Sequence, residues 1–272
     1  MRLDLHLHST ASDGQLPPAQ VVEEALKGGL DVIALTDHDT MAGVEAATEA
    51  ARGHPIHVIP ALEASTTWDE TELHILGYFV DPENPRLRAH DDEASRRRRE
   101  RLEEMVERLR GQGVEVSFDE VLAQAAGEVS SLGRPHLARA LRAAGYVDEV
   151  AEAFDRYIGN EHPAYIPTRL LEPAAAIEMI HGAGGLAIWA HPPMYLLESV
   201  LGPLAEMGLD GVEVFRPRNG PERVRRLCEE GRAVGLDVFT GGSDWHGPDD
   251  GVLGEFVVDS REVARFLDLG DM

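Results

Sequence analysis

Residues 2–8 read RLDLHLH, and this short alternation sets how the rest of the chain is read. An extended backbone sends successive side chains to opposite faces. Leu3, Leu5 and Leu7 therefore fall on one face, and Asp4, His6 and His8 on the other. A polar loop over 9–14 follows; Pro17 or Pro18 then opens a helix running through Leu26, which Gly28 and Gly29 close. Residues 31–36 (DVIALT) read as a second strand with a helix over 41–52, residues 57–63 as a third strand and 72–80 as a fourth. Later strands are expected at 186–190, 211–215, 237–240 and 255–258. Short apolar strands alternating with helical patterns indicate an α/β architecture.

Between Pro82 and Pro167 this rhythm stops. Residues 86–112 read as one long, highly charged helix, followed by helical patterns at 118–126, 134–144 and 147–157 with no strand signal. The expected organisation is a barrel domain formed by residues 1–90 and 166–272, with an all-helical insertion over 91–165. The basic run Arg96-Arg97-Arg98-Arg99 reads as a solvated helix face pairing with nearby acids.

Composition narrows the function class. The chain has 272 residues, 43% hydrophobic and 27% charged, an ordinary globular balance. A single cysteine, Cys228, excludes an internal disulfide framework and reads as a helix-packing thiol. No apolar run is long enough to span a bilayer, and the charged opening MRLDLHLHST lacks a signal peptide's apolar centre, so no membrane association and a cytoplasmic location are expected. Forty-nine acidic residues against 25 basic ones give a net charge of −24, which disfavours extended binding to nucleic acid. Lys27 is the only lysine, and its Lys-Gly-Gly context excludes a Walker A loop.

In a β/α barrel the active site lies at the carboxyl ends of the strands. His6 and His8 end the first strand, Asp13 follows in the first loop, and Asp37-His38-Asp39 follows the second strand. Glu63 ends the third, His74 lies in the fourth, His191 follows residues 186–190, and Asp244 and His246 follow 237–240. Any one of these is more often structural than a ligand. Imidazoles and carboxylates gathered at one sheet edge in this number instead suit zinc, manganese or iron, in a cluster of two or three ions. His54, His57, His90, His162 and His181 have no such placement and read as structural or surface residues.

The ordered set His6-x-His8, Ser12-Asp13-Gly14, Thr36-Asp37-His38-Asp39, Glu63, His74, Ala190-His191-Pro192 and Gly242-Ser243-Asp244-Trp245-His246 resembles the polymerase and histidinol phosphatase (PHP) family. Within it, the chain looks most like the branch of short bacterial 3′,5′-nucleotide bisphosphate phosphatases and 5′-3′ exoribonucleases. The resemblance implies a distorted (β/α)7 barrel with a trinuclear metal centre. It assigns His6, His8, Glu63 and Asp244 to one ion, Glu63, His74 and His191 to a second, and Asp13, His38 and His246 to a third. Asp37 and Asp39 would orient imidazoles. Gly133-Arg134-Pro135-His136 resembles the segment by which a helical cap reaches back over the metals, with Arg134 and His136 on a substrate phosphate and Arg169 a weaker candidate for a second. Pro193-Met194 departs from the family, where glycine and a basic residue are common.

The implied activity is metal-dependent hydrolysis of a phosphomonoester on a small nucleotide, a 3′,5′-bisphosphonucleotide, by attack of a metal-bridging hydroxide. Three divalent ions are implied, manganese first, with zinc or iron as alternatives. Alternative activities are a 5′-3′ exonuclease acting on short RNA and a histidinol-phosphate phosphatase. A non-catalytic metal-binding regulatory module is the rival from a different class. Related barrel hydrolases that need a bridging carboxylated lysine are excluded, because Lys27 sits in the first helix.

Overall fold

The computed structural model describes residues 1–69, 71–125, 131–168 and 171–272. The first part of the chain forms β1 (Arg2–Leu7), α1 (Pro18–Lys27), β2 (Val32–Leu35), α2 (Val44–Ala51), β3 (His57–Trp68) and β4 (Thr71–Tyr78). Helices α3 (Pro85–Gly111), α4 (Phe118–Leu122), α5 (Arg134–Ala143) and α6 (Val150–Ala153) follow, the last widening into a π-helical turn at Phe154–Ile158. The chain then returns to alternation with α7 (Pro173–Gly182), β5 (Leu186–Trp189), α8 (Leu197–Glu206), β6 (Gly211–Phe215), α9 (Pro221–Ala233), β7 (Val238–Gly241), β8 (Val258–Asp259) and α10 (Ala264–Leu269). No described residue between 82 and 167 is in a strand. Among the described residues, no helix is long and apolar enough to cross a membrane.

The strands form one sheet in the order β7-β6-β5-β4-β3-β2-β1-β8. β4 runs antiparallel to both of its neighbours, and β8 runs antiparallel to β1; the remaining pairs are parallel. The sheet curls into a nearly closed barrel, with the gap between β7 and β1 bridged just past the end of β7. There the Asp244 amide donates to the His6 carbonyl at 2.9 Å, and the His8 amide donates to the Trp245 carbonyl at 3.0 Å. One apolar cluster fills the inside, drawing Leu3 and Leu5, Val32 and Ala34, Ile59 and Ala61, Leu76 and Tyr78, Ile188, Val238 and Val258 from around the barrel. Phe266 of α10 closes one end, meeting the Tyr78 ring edge-on at 5.0 Å between centroids. Outside, α1 and α2 cover β2, while α7, α8 and α9 cover β4 to β6. The helices between β4 and α7 bury an apolar cluster of their own, built on Leu102, Met105, Leu109, Leu137 and Leu141.

Two expectations need correction. Strict alternation in β1 puts Leu7 with Leu3 and Leu5, but Leu7 packs in the outer cluster with Val21, Val22 and Ile33. The cause is a register shift against β2 between Asp4 and Leu7. The strand expected at 255–258 is reduced to Val258–Asp259. Gly254, at φ 94°, turns the chain where its backbone presses on Gly28.

Gly242 lies at the closing seam, where a Cβ would stand 2.4 Å from the His6 nitrogen and 2.5 Å from its Cβ. Gly242→Ala should lower unfolding stability by about 1–3 kcal/mol, as an overpacked core does. Gly111→Ala at the end of α3, where an added Cβ meets nothing within 4 Å, should raise it by up to about 1 kcal/mol. Chemical denaturation of both variants checks the pair.

Candidate metal centre

Glu63 is the centre of the site. β3 carries it, completely buried, to the mouth where several strands end. A parallel bridge holds His38 beside it, with the Asp39 amide donating to the Glu63 carbonyl at 2.9 Å. Because β4 runs backwards, His74 near its start pairs with Ser65 and so reaches the same mouth. His6 Nε2 and His8 Nε2 both stand 3.3 Å from Glu63 Oε2, and 3.4 and 3.3 Å from Asp244 Oδ1. His74 Nδ1 and His191 Nε2 each stand 2.8 Å from Glu63 Oε1 and 3.3 Å from one another. Asp13 lies 3.8 Å from both His8 Nδ1 and His38 Nε2, and 3.5 Å from His246 Nε2. All nine residues expected at the strand ends thus meet in one cluster.

Donor atoms of His6, His8, Glu63 and Asp244 lie within 4.8 Å of one another, as do those of His8, Asp13, His38 and His246, and those of His38, Glu63 and His74. The first group matches an expected ligand set; in the other two, His8 joins Asp13, His38 and His246, and His38 joins Glu63 and His74. His6 Nε2, both His8 ring nitrogens, His38 Nδ1 and Glu63 Oε2 are buried and have no hydrogen-bond partner. Buried polar atoms are rarely left unpaired. Lone pairs converging on one another without bonding are the donor set of a cation, and they fit a divalent metal.

The electrostatics agree. Burial disfavours charge on Glu63, yet the surrounding histidines, His38, His74 and His6 foremost, hold its carboxyl well below the ordinary range. Asp13 and Asp244 are depressed in the same way, by His38 and His246 at Asp13 and chiefly by His6 and His8 at Asp244. Burial would lower the His6 imidazole, but Glu213, Asp244 and Glu63 outweigh it and raise it to about 10. His38 goes the other way, to about 3, because burial outweighs Glu63 and Asp13. Three buried carboxylates therefore attract positive charge into the mouth, and cations would satisfy that demand directly. Two of the ligand candidates, His191 at φ 30° and Asp244 at φ 60°, are held in the left-handed region that favours glycine.

The expected supporting residues act differently from the reading above. Neither Asp37 nor Asp39 hydrogen-bonds a cluster imidazole. Asp37 accepts from the Ser9 amide at 2.8 Å, the Ser9 hydroxyl at 2.7 Å and the Ser12 hydroxyl at 2.6 Å, folding the loop that carries Asp13. Gly14 completes that loop, where a Cβ would lie 2.6 Å from the His8 carbonyl oxygen. Asp39 accepts from His90 Nε2 at 3.0 Å and from the Ser65 amide at 2.7 Å. Both position ligands through the backbone.

The helices between β4 and α7 meet the loop that carries Asp13. A Cβ on Gly133 would stand 3.6 Å from Asp13 Oδ2, and Arg139 donates to the Asp13 carbonyl at 3.2 Å. Arg134 donates to Asn160 Oδ1 at 2.8 Å and lies over the Tyr165 ring. His136 is buried, and its Nδ1 accepts from the Gly133 amide at 3.1 Å. Burial, then the nearby Arg139 charge, lowers His136 to about 4, so the ring is neutral with its proton on Nε2. Arg169 lies outside the described residues.

Comparison with known proteins places this geometry in context. The PHP domain model matches residues 4–159. The chain is 35% identical over 252 residues to a 5′-3′ exoribonuclease of Haemophilus influenzae, covering 91% of this chain and 90% of that protein. It is 31% identical over 272 residues to a 3′,5′-nucleoside bisphosphate phosphatase of Chromobacterium violaceum, covering 98% and 92%. The crystal structure of a protein from Bifidobacterium adolescentis, classed as a metal-dependent phosphoesterase, superposes with a TM-score of 0.87 at 33% identity, over 98% of this chain and 96% of that one.

Sequence reasoning missed three groups. Glu213, fully buried in β6, accepts from His6 Nδ1 at 2.8 Å and from the His191 amide at 2.7 Å, so one carboxylate orients two candidate ligands. Arg216 donates to Asp244 Oδ2 at 2.7 Å. Arg98 is the third, and it corrects the reading of the basic run. Arg96 and Arg99 pair with Glu93, Glu100 and Glu103 on the exposed face of α3, but Arg98 is buried and bonds Asp39 Oδ2 through Nε at 2.8 Å and Ser65 Oγ through Nη2 at 2.6 Å. Arg98→Ala would strand a buried carboxylate and should reduce stability by about 3–5 kcal/mol. Arg96→Ala should leave stability nearly unchanged. Urea denaturation of the two variants makes the comparison.

Proposed function

The chain belongs to the PHP domain family and is a metal-dependent phosphoesterase, and we propose that it acts in the cytoplasm on the phosphomonoester of a small nucleotide, a nucleoside 3′,5′-bisphosphate. The observation that carries this reading is the set of buried, unbonded imidazole and carboxylate atoms converging on Glu63. We assign one cation to His6, His8, Glu63 and Asp244, a second to Glu63, His74 and His191, and a third to Asp13, His38 and His246. Manganese suits this mixture of imidazole and carboxylate, as do zinc and iron. Bound there, divalent ions would supply Lewis acidity to the phosphoryl oxygens and a nucleophile at neutral pH.

The chain's own groups prepare the site for this chemistry. Glu213 holds the His6 ring so that Nε2 faces Glu63 and Asp244. Residues 91–165 act as a cap over the barrel of residues 1–90 and 166–272. From the cap, the Arg134 guanidinium and the neutral His136 Nε2–H donate to the phosphoryl group. A substrate small enough to sit between cap and barrel agrees with a chain of net charge −24, whose far field repels long polyanions. The identity to the Haemophilus exoribonuclease favours one further reading, a 5′-3′ exonuclease acting on short RNA.

Turnover by manganese-loaded protein, read as inorganic phosphate from the monoesters and as 5′-mononucleotide from RNA, should be fastest, as kcat/KM, with adenosine 3′,5′-bisphosphate, against histidinol phosphate and a short 5′-phosphorylated RNA. Preference for the RNA would move the assignment to the exonuclease, and no turnover of any of the three would overturn the reading. A chelator should abolish turnover, and manganese should restore it. Asp244→Ala should abolish turnover with the circular dichroism spectrum unchanged. Arg134→Ala should raise KM about 10–100-fold, the loss of a charged hydrogen bond; an unchanged KM would remove it from the substrate.

A further inference from the structure

β6 ends at Phe215, and the turn over 216–220 carries Arg216 and Arg218 before α9 begins. A cleft of about 610 Å³ lies between this turn and residues 243–250. Its wall runs from Arg218 and Arg223 to Asp244 and His246, so it opens directly onto the candidate metal centre, on a turn that the cap does not supply.

The three arginines differ. Arg216 is committed to Asp244 and Glu213. Arg223 is not: its guanidinium donates to the Pro192 carbonyl at 3.1 Å, while its Nε is buried without a partner and no carboxylate meets it among the described residues. Arg218 is exposed and has no hydrogen-bond or ion-pair partner among the described residues. In a chain where acids outnumber bases 49 to 25, two guanidinium groups beside one cleft are left without carboxylates and are available to an anion. The acids in the cleft are already engaged: Asp244 with Arg216, Asp250 with the His246 amide at 2.8 Å, and Asp249 with Gln15 Nε2 at 3.0 Å.

We propose that this cleft is a second phosphate subsite. While one phosphoryl group lies at the metal centre, the planar forks of Arg218 and Arg223 hold another phosphate of the same substrate. That phosphate is the second one of a nucleoside bisphosphate or the next diester of a short oligonucleotide. The proposal rests on the phosphoesterase reading above and adds to it the element that selects substrates bearing two phosphates.

The test is the double variant Arg218→Ala/Arg223→Gln, whose glutamine retains a donor for Pro192. Kinetics are compared with wild type on p-nitrophenyl phosphate, adenosine 3′,5′-bisphosphate and a 5′-phosphorylated RNA dinucleotide. KM for a two-phosphate substrate should rise about tenfold or more, with kcat within about twofold and p-nitrophenyl phosphate unaffected. Which of the two substrates responds identifies the source of the second phosphate. A parallel rise for p-nitrophenyl phosphate, or no change for any substrate, overturns the subsite. If the wild type hydrolyses none of them, the phosphoesterase reading fails and the cleft is judged separately, by calorimetric titration of the metal-free protein with adenosine 3′,5′-bisphosphate. An affinity about tenfold weaker in the double variant then supports the subsite, and equal affinities overturn it.

Discussion

A carboxylate with no exposure to water, Glu63, sits where the ends of several strands converge, and the rest of the site follows from compensating it. An isolated buried carboxylate costs many kcal/mol, so it persists only when opposite charge or donors surround it. The barrel mouth can meet this demand because β1, β4 and the segments after β2, β5 and β7 each bring one or two side chains to the same point. The compensation remains incomplete within the protein alone, since Glu63 Oε2 and facing imidazole nitrogens are left unbonded. The sheet thus builds a concentrated negative centre that is complete only with cations. Holding His191 and Asp244 at positive φ costs about 1–3 kcal/mol each, which the closed, tightly filled barrel offsets.

The helical insertion is tied to this centre by polar contacts. Its apolar cluster is separate from those of the barrel. It reaches the barrel through Arg98 on Asp39, Arg139 on the Asp13 carbonyl, and the Ser131 amide on the Ala11 carbonyl at 3.1 Å. Each of these bonds ends on a loop that carries a candidate ligand: Asp39 is next to His38, and Ala11 is close to Asp13. These polar bonds join the helices between β4 and α7 to the loops that hold the candidate ligands.

The α/β alternation and the gathering of acids and imidazoles at strand ends were both legible in the sequence, because each depends on local period and on where an apolar run stops. What escaped depends on tertiary context. The direction of β4 is not written in residues 72–80, and only the antiparallel pairing, which sets His74 opposite Ser65, explains how a residue early in that strand reaches the mouth. The register shift in β1 arises from its pairing with β2. Two of the missed residues did leave a trace. Glu213 is a lone acid inside the apolar run GVEVF, and an acid in a buried strand needs a partner. Arg98 falls on the same helical stripe as Ala94, Arg101, Leu102 and Met105, all buried on α3, whereas its neighbours in the basic run face solvent.

A net charge of −24 and a phosphate-bearing substrate are reconciled by distance. At physiological ionic strength surface charges are screened beyond about 8 Å, so a small ligand inside the mouth senses the groups within a few ångströms. If Arg134 and the pair Arg218 and Arg223 bind phosphate as proposed, guanidinium groups flank the centre on two sides, with cations between them. A long polyanion has no such shelter, because everything beyond the mouth lies against an acidic surface. Two such arginine flanks about a metal centre would limit the length of the substrate, and the acidic exterior would enforce that limit. Local recognition and global repulsion together favour a substrate that carries its phosphates close to one another and little charge beyond them.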